Sequence, residues 1–99
     1  MGDILNASNH KMATIGEDGK VRNTGGIVIG RVADDARAYN NTGVAVGYYD
    51  SNGYVYKGGS HIGTVRSDGK VYDYEDHYIG KVVGDHIESG GAALLLLVR

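Results

Sequence analysis

Eight tyrosines, four histidines and a scatter of carboxylates are the side chains of this sequence with chemistry to offer. A histidine metal centre needs ligands that their spacing brings to one point, as in H-x-H or H-x-x-x-H. His10, His61, His77 and His86 follow neither spacing and read as surface or turn residues. "DSNG" at 50–53 begins like a calcium loop, but a further ligand before the Gly and a Glu after it are missing, with Ser60 and His61 standing nearby instead. "GGIVIGR" and "GGSHIGT" resemble fragments of phosphate-binding loops. Both lack the Lys, and both run into extended β-branched sequence where a helix N-terminus is needed. No Ser, His and acid stand in an order that suggests nucleophilic catalysis. Asp18, Asp35 and Asp68 share one turn position, which argues against a carboxylate pair. The reading is a non-enzymatic protein with no catalytic residue, no metal and no cofactor.

The tyrosines carry the sharper idea. Tyr39, Tyr56 and Tyr72 recur at one phase, each directly after an apolar position (Ala38, Val55, Val71), so in a strand they stand on the face opposite the core. Asn40, Lys57 and Asp73 follow them with hydrogen-bonding groups. Tyr rings that stack on sugars beside amides and carboxylates that bond hydroxyls make a carbohydrate or small-ligand surface. The candidate ligand-binding set is therefore Tyr39, Tyr56, Tyr72, Asn40 and Asp73. The plainer alternative is that Tyr suits a strand, packs against equivalents in neighbouring hairpins and keeps its hydroxyl wet.

Positioning that set requires a repeat, and the sequence contains one. Gly2, Gly19, Ala36, Gly53 and Gly69 are spaced by seventeen or sixteen residues. A second anchor, apolar-Gly-x-apolar, falls ten or eleven residues after each, at Ala13, Gly30, Gly47, Gly63 and Gly80. Two anchors in step indicate five copies of one supersecondary unit. "DHIESGGAALLLL" reads as a decayed sixth copy, as terminal repeats are often atypical. "EDGK", "SNGY" and "SDGK" look like two-residue hairpin loops of type I′, with alternating β-branched stretches on either side. "NTGG", "NNTG", "KGGS" and "YEDH" read as slightly longer polar turns.

The expected fold is all-β: one domain over 1–99, built of short antiparallel hairpins closed into a flower- or prism-like ring, with almost no helix. In Ile29-Gly30-Arg31-Val32 the aliphatics lie three apart. That implies either a bulge turning both inward or, as preferred, a strand buried on both sides whose Gly lets another backbone approach a central axis. "AALLLLVR", 92–99, breaks strand alternation and is expected to be a closing strand covered on both faces.

The D-G-x-V-Y-D and I-G-x-V hairpin motifs, with Gly-Ala-Ala-Leu-Leu-Leu-Leu at 91–97, resemble the four-fold β-flower proteins, a family of small bacterial proteins. The similarity covers roughly residues 12–98. The resemblance implies a closed flower of hairpins and no established activity.

The remaining bounds concern partners. Ninety-nine residues allow a modest core and no large catalytic cleft. A net charge of -2 supplies no basic field, so nucleic acid is not expected as a partner. "MGDILNASNHK" is not a signal peptide, and Ala92–Val98 is too short to span a bilayer, so a cytoplasmic protein with no membrane contact is expected. Near-equivalent hairpins leave edges to cover, which points to a homo-oligomer. The functional expectation is a structural or protein-interaction module, with binding of a carbohydrate or small ligand as the alternative and a protein or glycan as partner.

Overall fold

The computed structural model describes residues 1–98. Ten strands follow in chain order: β1 (Gly2–Asn6), β2 (Lys11–Ile15), β3 (Lys20–Asn23), β4 (Val28–Val32), β5 (Arg37–Asn40), β6 (Ala45–Tyr49), β7 (Tyr54–Lys57), β8 (Ser60–Val65), β9 (Lys70–Asp73) and β10 (Tyr78–Gly84). Each pairs antiparallel with its chain neighbours, and β1 closes on β10 from Gly2↔Gly84 to Asn6↔Gly80. Five hairpins thus form a closed ring, one more than a four-fold flower contains. Closure leaves no free strand edge, so the edge argument for self-association does not hold. No helix among the described residues is long and apolar enough to cross a membrane.

The turns are not those expected. In "SDGK" the Gly69 amide donates to Arg66 O and the Arg66 amide to Lys70 O. Gly69 has φ 91°, whereas Asp68 is not among the residues of positive φ. That is a type I turn followed by one left-handed residue, the three-residue hairpin loop. Asp68 Oδ1 accepts from the Lys70 amide, a bond that this geometry allows. Four of the five lower connections use the same turn, with the acceptor moved to its first residue: Asn6, Asn23, Asn40 and Asp73 Oδ1 each take two backbone amides. Where that residue is Lys57, which has no acceptor, the chain switches to Gly58-Gly59 with φ 59° and 83° between paired Lys57 and Ser60. The type I′ loop is there.

Each hairpin carries one bulge. Val21 pairs with Gly30 and Arg22 with Val28, leaving Ile29 as the extra residue. Met12, Val46, Ile62 and Ile79 are its equivalents. The bulge reading of apolar-Gly-x-apolar therefore replaces the preferred two-sided burial, because the extra residue resets the alternation, while the close backbone approach expected at the Gly holds: a Cβ on Gly30 would collide with the Tyr39 carbonyl of the next strand. Gly30 and Val32 both face inward and Ile29 packs against the rim of the core.

The segment read as a decayed sixth hairpin and a closing strand is helical instead. It forms α1 (Ile87–Ala93) and then one turn of π-helix (Leu94–Val98) inside the ring. Arg99, the last residue of the expected strand, lies outside the described residues. The reason is backbone satisfaction: every barrel strand is already paired on both sides, so a strand in the lumen would bury unpaired amides and carbonyls. A helix bonds to itself, and one apolar all round suits a site enclosed all round.

Three layers fill the lumen. Ile4, Val21, Ala38, Val55 and Val71, one per hairpin, have no exposure at all. Ile15, Val32, Tyr49, Val65 and Val82 ring α1, whose Gly90 and Gly91 are small because a Cβ there would collide with Val82 and Val65. Tyr49 is the exception in its ring, and its hydroxyl meets Ser89 Oγ at 2.9 Å. In the third layer each wall glycine receives one leucine: Gly80 takes Leu94, Gly63 Leu95, Gly47 Leu96 and Gly30 Leu97. Successive residues thus address successive hairpins, a step of one fifth of a turn, about 72°, against about 100° per residue in an α-helix. The wider π turn, with i→i+5 bonding, matches the five-membered ring. The next hairpin in line offers Ala13, already carrying a Cβ, and the next residue is Val98, one methylene shorter than Leu.

Candidate functional site

Outward-facing positions alternate with these core residues and form the wall of the barrel. Tyr39, Tyr56 and Tyr72 lie on it, as their phase predicts, but not as one row of equal sites. Tyr56 stacks on Tyr48, the cross-strand partner on β6, at 5.0 Å between centroids and 21° between planes. His61 lies beside it at 5.9 Å and touches Tyr54 edge-on at 5.2 Å. The Tyr56 hydroxyl donates to Asp50 Oδ2 at 3.2 Å. Partial desolvation, then this carboxylate, pushes its pKa up. The hydroxyl therefore stays a donor at neutral pH.

Tyr72 belongs to a second group. It meets Tyr78 at 5.7 Å with planes 59° apart, and the Arg66 guanidinium covers one face of its ring at 4.3 Å. Thr64, opposite both Tyr54 and Tyr72, joins the two groups into one band from β6 to β10. Tyr39 stands apart across Ala45, covered by Arg31 at 4.4 Å and hydrogen-bonded to Asp35 at 3.3 Å.

Asn40 and Asp73 do not join the tyrosines. Their Oδ1 atoms are occupied within their own turns, Asn40 by the Thr42 and Val44 amides and Asp73 by those of Glu75 and His77. The His77 and Glu75 amides hold the Asp73 carboxyl below the usual carboxylate range, which marks it as a turn acceptor. Lys57 sits on the lower rim at the Gly58-Gly59 loop.

The structure adds Tyr48, Tyr54, His61 and Tyr78 to the aromatic wall. Tyr48, Tyr54 and Tyr78 are 42%, 43% and 36% exposed. A period-2 reading of "YVYK" places Tyr54 beside Tyr56 on one face, a signal present in the sequence. Tyr78 and His61 become partners of Tyr72 and Tyr56 only through the bulge in each hairpin.

At the upper mouth Glu17, Asp34, Tyr49, His86 and Ser89 line a cleft of about 200 Å³. The His86 ring lies 3.2 Å from Glu17 Oε2. The chain's terminal ammonium and then His86 hold the Glu17 carboxyl low. Ser89 Oγ is hydrogen-bonded to the Tyr49 hydroxyl at 2.9 Å, and the His86 ring is turned to Glu17. No cluster of three or more His, Cys, Asp or Glu among the described residues could hold a metal ion.

Comparisons with curated proteins and with solved structures returned no match. A model of the family described as the 5-fold β-flower protein matches residues 1–98. That span takes in all ten strands and the helical plug, and the count of five agrees with the five hairpins and with the five residues, Leu94 to Val98, on their axis. The chain belongs to the five-fold β-flower family.

Proposed function

We propose that the protein is a non-enzymatic recognition module that offers the aromatic wall between β6 and β10 to a carbohydrate. One observation carries this reading. The lumen, where a small barrel would hold a ligand, is filled by Leu94–Val98, while Tyr48, Tyr54 and Tyr78 present more than a third of their surface outside. Tyr rings give the apolar face of a pyranose a large contact at little conformational cost, and their hydroxyls bond outward. A glycan array on the intact protein tests the reading, followed by titration of the best hit with Tyr56→Ala and Tyr72→Ala. The expected result is a binder weakened at least tenfold by one of the two changes; no binder, or a binder indifferent to both, removes the idea.

A second reading keeps a protein partner, in the first instance a second copy of this chain. Ile27 and Val44 hold the same turn position in adjacent hairpins and are 65% and 58% exposed, with Val28 beside them at 37%. Exposed aliphatics grouped on one rim mark association surfaces. Sedimentation of the wild type against Ile27→Lys/Val44→Lys decides it: an assembly that the double change dissolves supports the reading, and a wild-type monomer at all concentrations rejects it.

A further inference from the structure

The outer wall carries a charge pattern that the tyrosines do not explain. In two of the five hairpins the residue after the upper turn and the residue after the wall glycine are both cationic, and they are direct cross-strand partners. Lys20 faces Arg31 across β3 and β4, and Lys70 faces Lys81 across β9 and β10. Like charges opposite each other weaken a strand pair. None of the four makes an ion pair among the described residues. In the other hairpins the same pair is Asp3/Thr14, Arg37/Tyr48 and Tyr54/Thr64, with no repulsion.

The two hairpins with facing cations are also those beside the wall clefts. One cleft, of about 290 Å³, is lined by Lys70, Lys81, Tyr72, Tyr78, Ala7 and Asn9. The other, of about 170 Å³, holds Lys20 and Arg31 with Val28, Asn40 and Gly43. The repeat makes them one position in the fold: Lys70 corresponds to Lys20, Lys81 to Arg31, Tyr78 to Val28 and Asn9 to Gly43. Both lie between a hairpin and the lower turn of the next. The protein is acidic as a whole, yet its carboxylates gather on the rims, in turns such as those of Asp34, Asp50, Asp68 and Asp76. Asp3, on the wall, is paired with Lys11 at 3.5 Å.

We propose that the cleft at Lys70, Lys81, Tyr72 and Tyr78 binds an acidic sugar unit, a pyranose bearing a carboxylate. The proposal rests on the carbohydrate reading and names its class. The two ammonium groups, repelling each other while the cleft is empty, gain a shared counter-charge when a carboxylate enters. Arg66 occupies one face of Tyr72, so Tyr78 supplies the open face for the sugar ring. With the rings 59° apart, the open face of Tyr78 meets the apolar side of a pyranose while the cleft beside it takes the carboxylate.

Calorimetric titration with a hexauronate, with maltohexaose and with poly(U), at 50 and 300 mM NaCl, tests the proposal on the full chain. The hexauronate is expected to bind and maltohexaose to bind at least tenfold more weakly. Added salt should reduce hexauronate affinity several-fold. Lys70→Gln/Lys81→Gln should abolish hexauronate binding, Tyr78→Ala should weaken it about tenfold by loss of stacking, and Lys57→Gln, a charge change away from the cleft, should leave it intact. Equal binding of the two sugars, or indifference to the double lysine change, overturns the acidic-sugar site while leaving the carbohydrate reading standing. Tighter binding of poly(U) than of the hexauronate overturns the choice of ligand class. Failure of both sugars to bind overturns the acidic-sugar site, while the carbohydrate reading stands or falls with the glycan array.

Discussion

Leu95 lies so close to Gly63 that a Cβ on the glycine would come within 2.7 Å of Leu95 Cδ1, and the Tyr72 carbonyl oxygen of the next strand stands closer still, at 2.5 Å. The same fit recurs at Gly80, Gly47 and Gly30, so the wall glycines are sockets for the leucines of the plug. Gly63→Ala should cost at least about 1–3 kcal/mol, the usual range for overpacking a filled core, because the Leu95 methyls can shift but the Tyr72 carbonyl moves only with its strand. In the sequence the next pair of the series is Ala13 and Val98. Converting it to the common form by Ala13→Gly with Val98→Leu should be tolerated better than either change alone. Chemical denaturation of the four proteins measures the coupling, and strict additivity would show that Val98 does not address Ala13.

Ala36 is held at φ 68° in a turn where Gly19, Gly53 and Gly69 stand at 79°, 84° and 91°. The bond that this carbonyl accepts from Tyr49 is 3.0 Å, against 2.8, 2.7 and 2.8 Å for the equivalents from Val32, Val65 and Val82. A side chain in the left-handed region costs about 1–2 kcal/mol, partly offset by the unfolded-state entropy that glycine adds. Ala36→Gly should therefore raise stability by about 1 kcal/mol and Tm by about 4–8 °C for a domain of this size. A lower melting temperature would show that the Ala methyl makes a compensating contact.

The Asp73 carboxylate is stabilised by the His77 and Glu75 amides, and its folded-state pKa is lowered. A lowered pKa means that the unfolded chain takes up the proton first. The contribution is present above the unfolded value of about 3.9 and is lost as pH falls through the folded value. Asp73→Asn keeps the acceptor oxygen that Asn6, Asn23 and Asn40 supply in sister turns, but cannot titrate. Thermal melts from pH 5 down to pH 2.5 should show a shallower acid decline for the variant than for the wild type. Parallel curves would mean that the turn draws nothing from the charge.

Local chemistry was legible along the chain because hairpins are local objects. The glycine and Asx positions announced turns, the seventeen-residue spacing announced five units, and the phase of Tyr39, Tyr56 and Tyr72 put them on the outer face. The exact turn type was not legible, since Asp-Gly suits both a type I′ loop and a type I turn with a left-handed Gly, and the choice depends on whether Asp68 spends its carboxylate on Lys70. Nor was the grouping of the wall, where a bulge in each hairpin sets Tyr78 against Tyr72 and Lys81 against Lys70.

The plug was the larger surprise. Four leucines in a row say that a segment is buried on every side; Leu94 and Leu95 are, whereas Leu96, Leu97 and Val98 are half-buried, and the form of burial depends on what surrounds the segment. Only ring closure removes every backbone partner from the lumen, and that turns a strand-like run into a helix. Only the number five selects a π turn over an α turn, because the helix must deliver one side chain to each hairpin in succession. The sequence by itself determined the hairpins up to Gly84 and which of their faces are apolar, since those follow from neighbours in the chain; that no sixth hairpin follows was decided by closure of the ring. The tertiary structure decided how the last twelve described residues fold, because their hydrogen bonds and sockets exist only after all five hairpins have met.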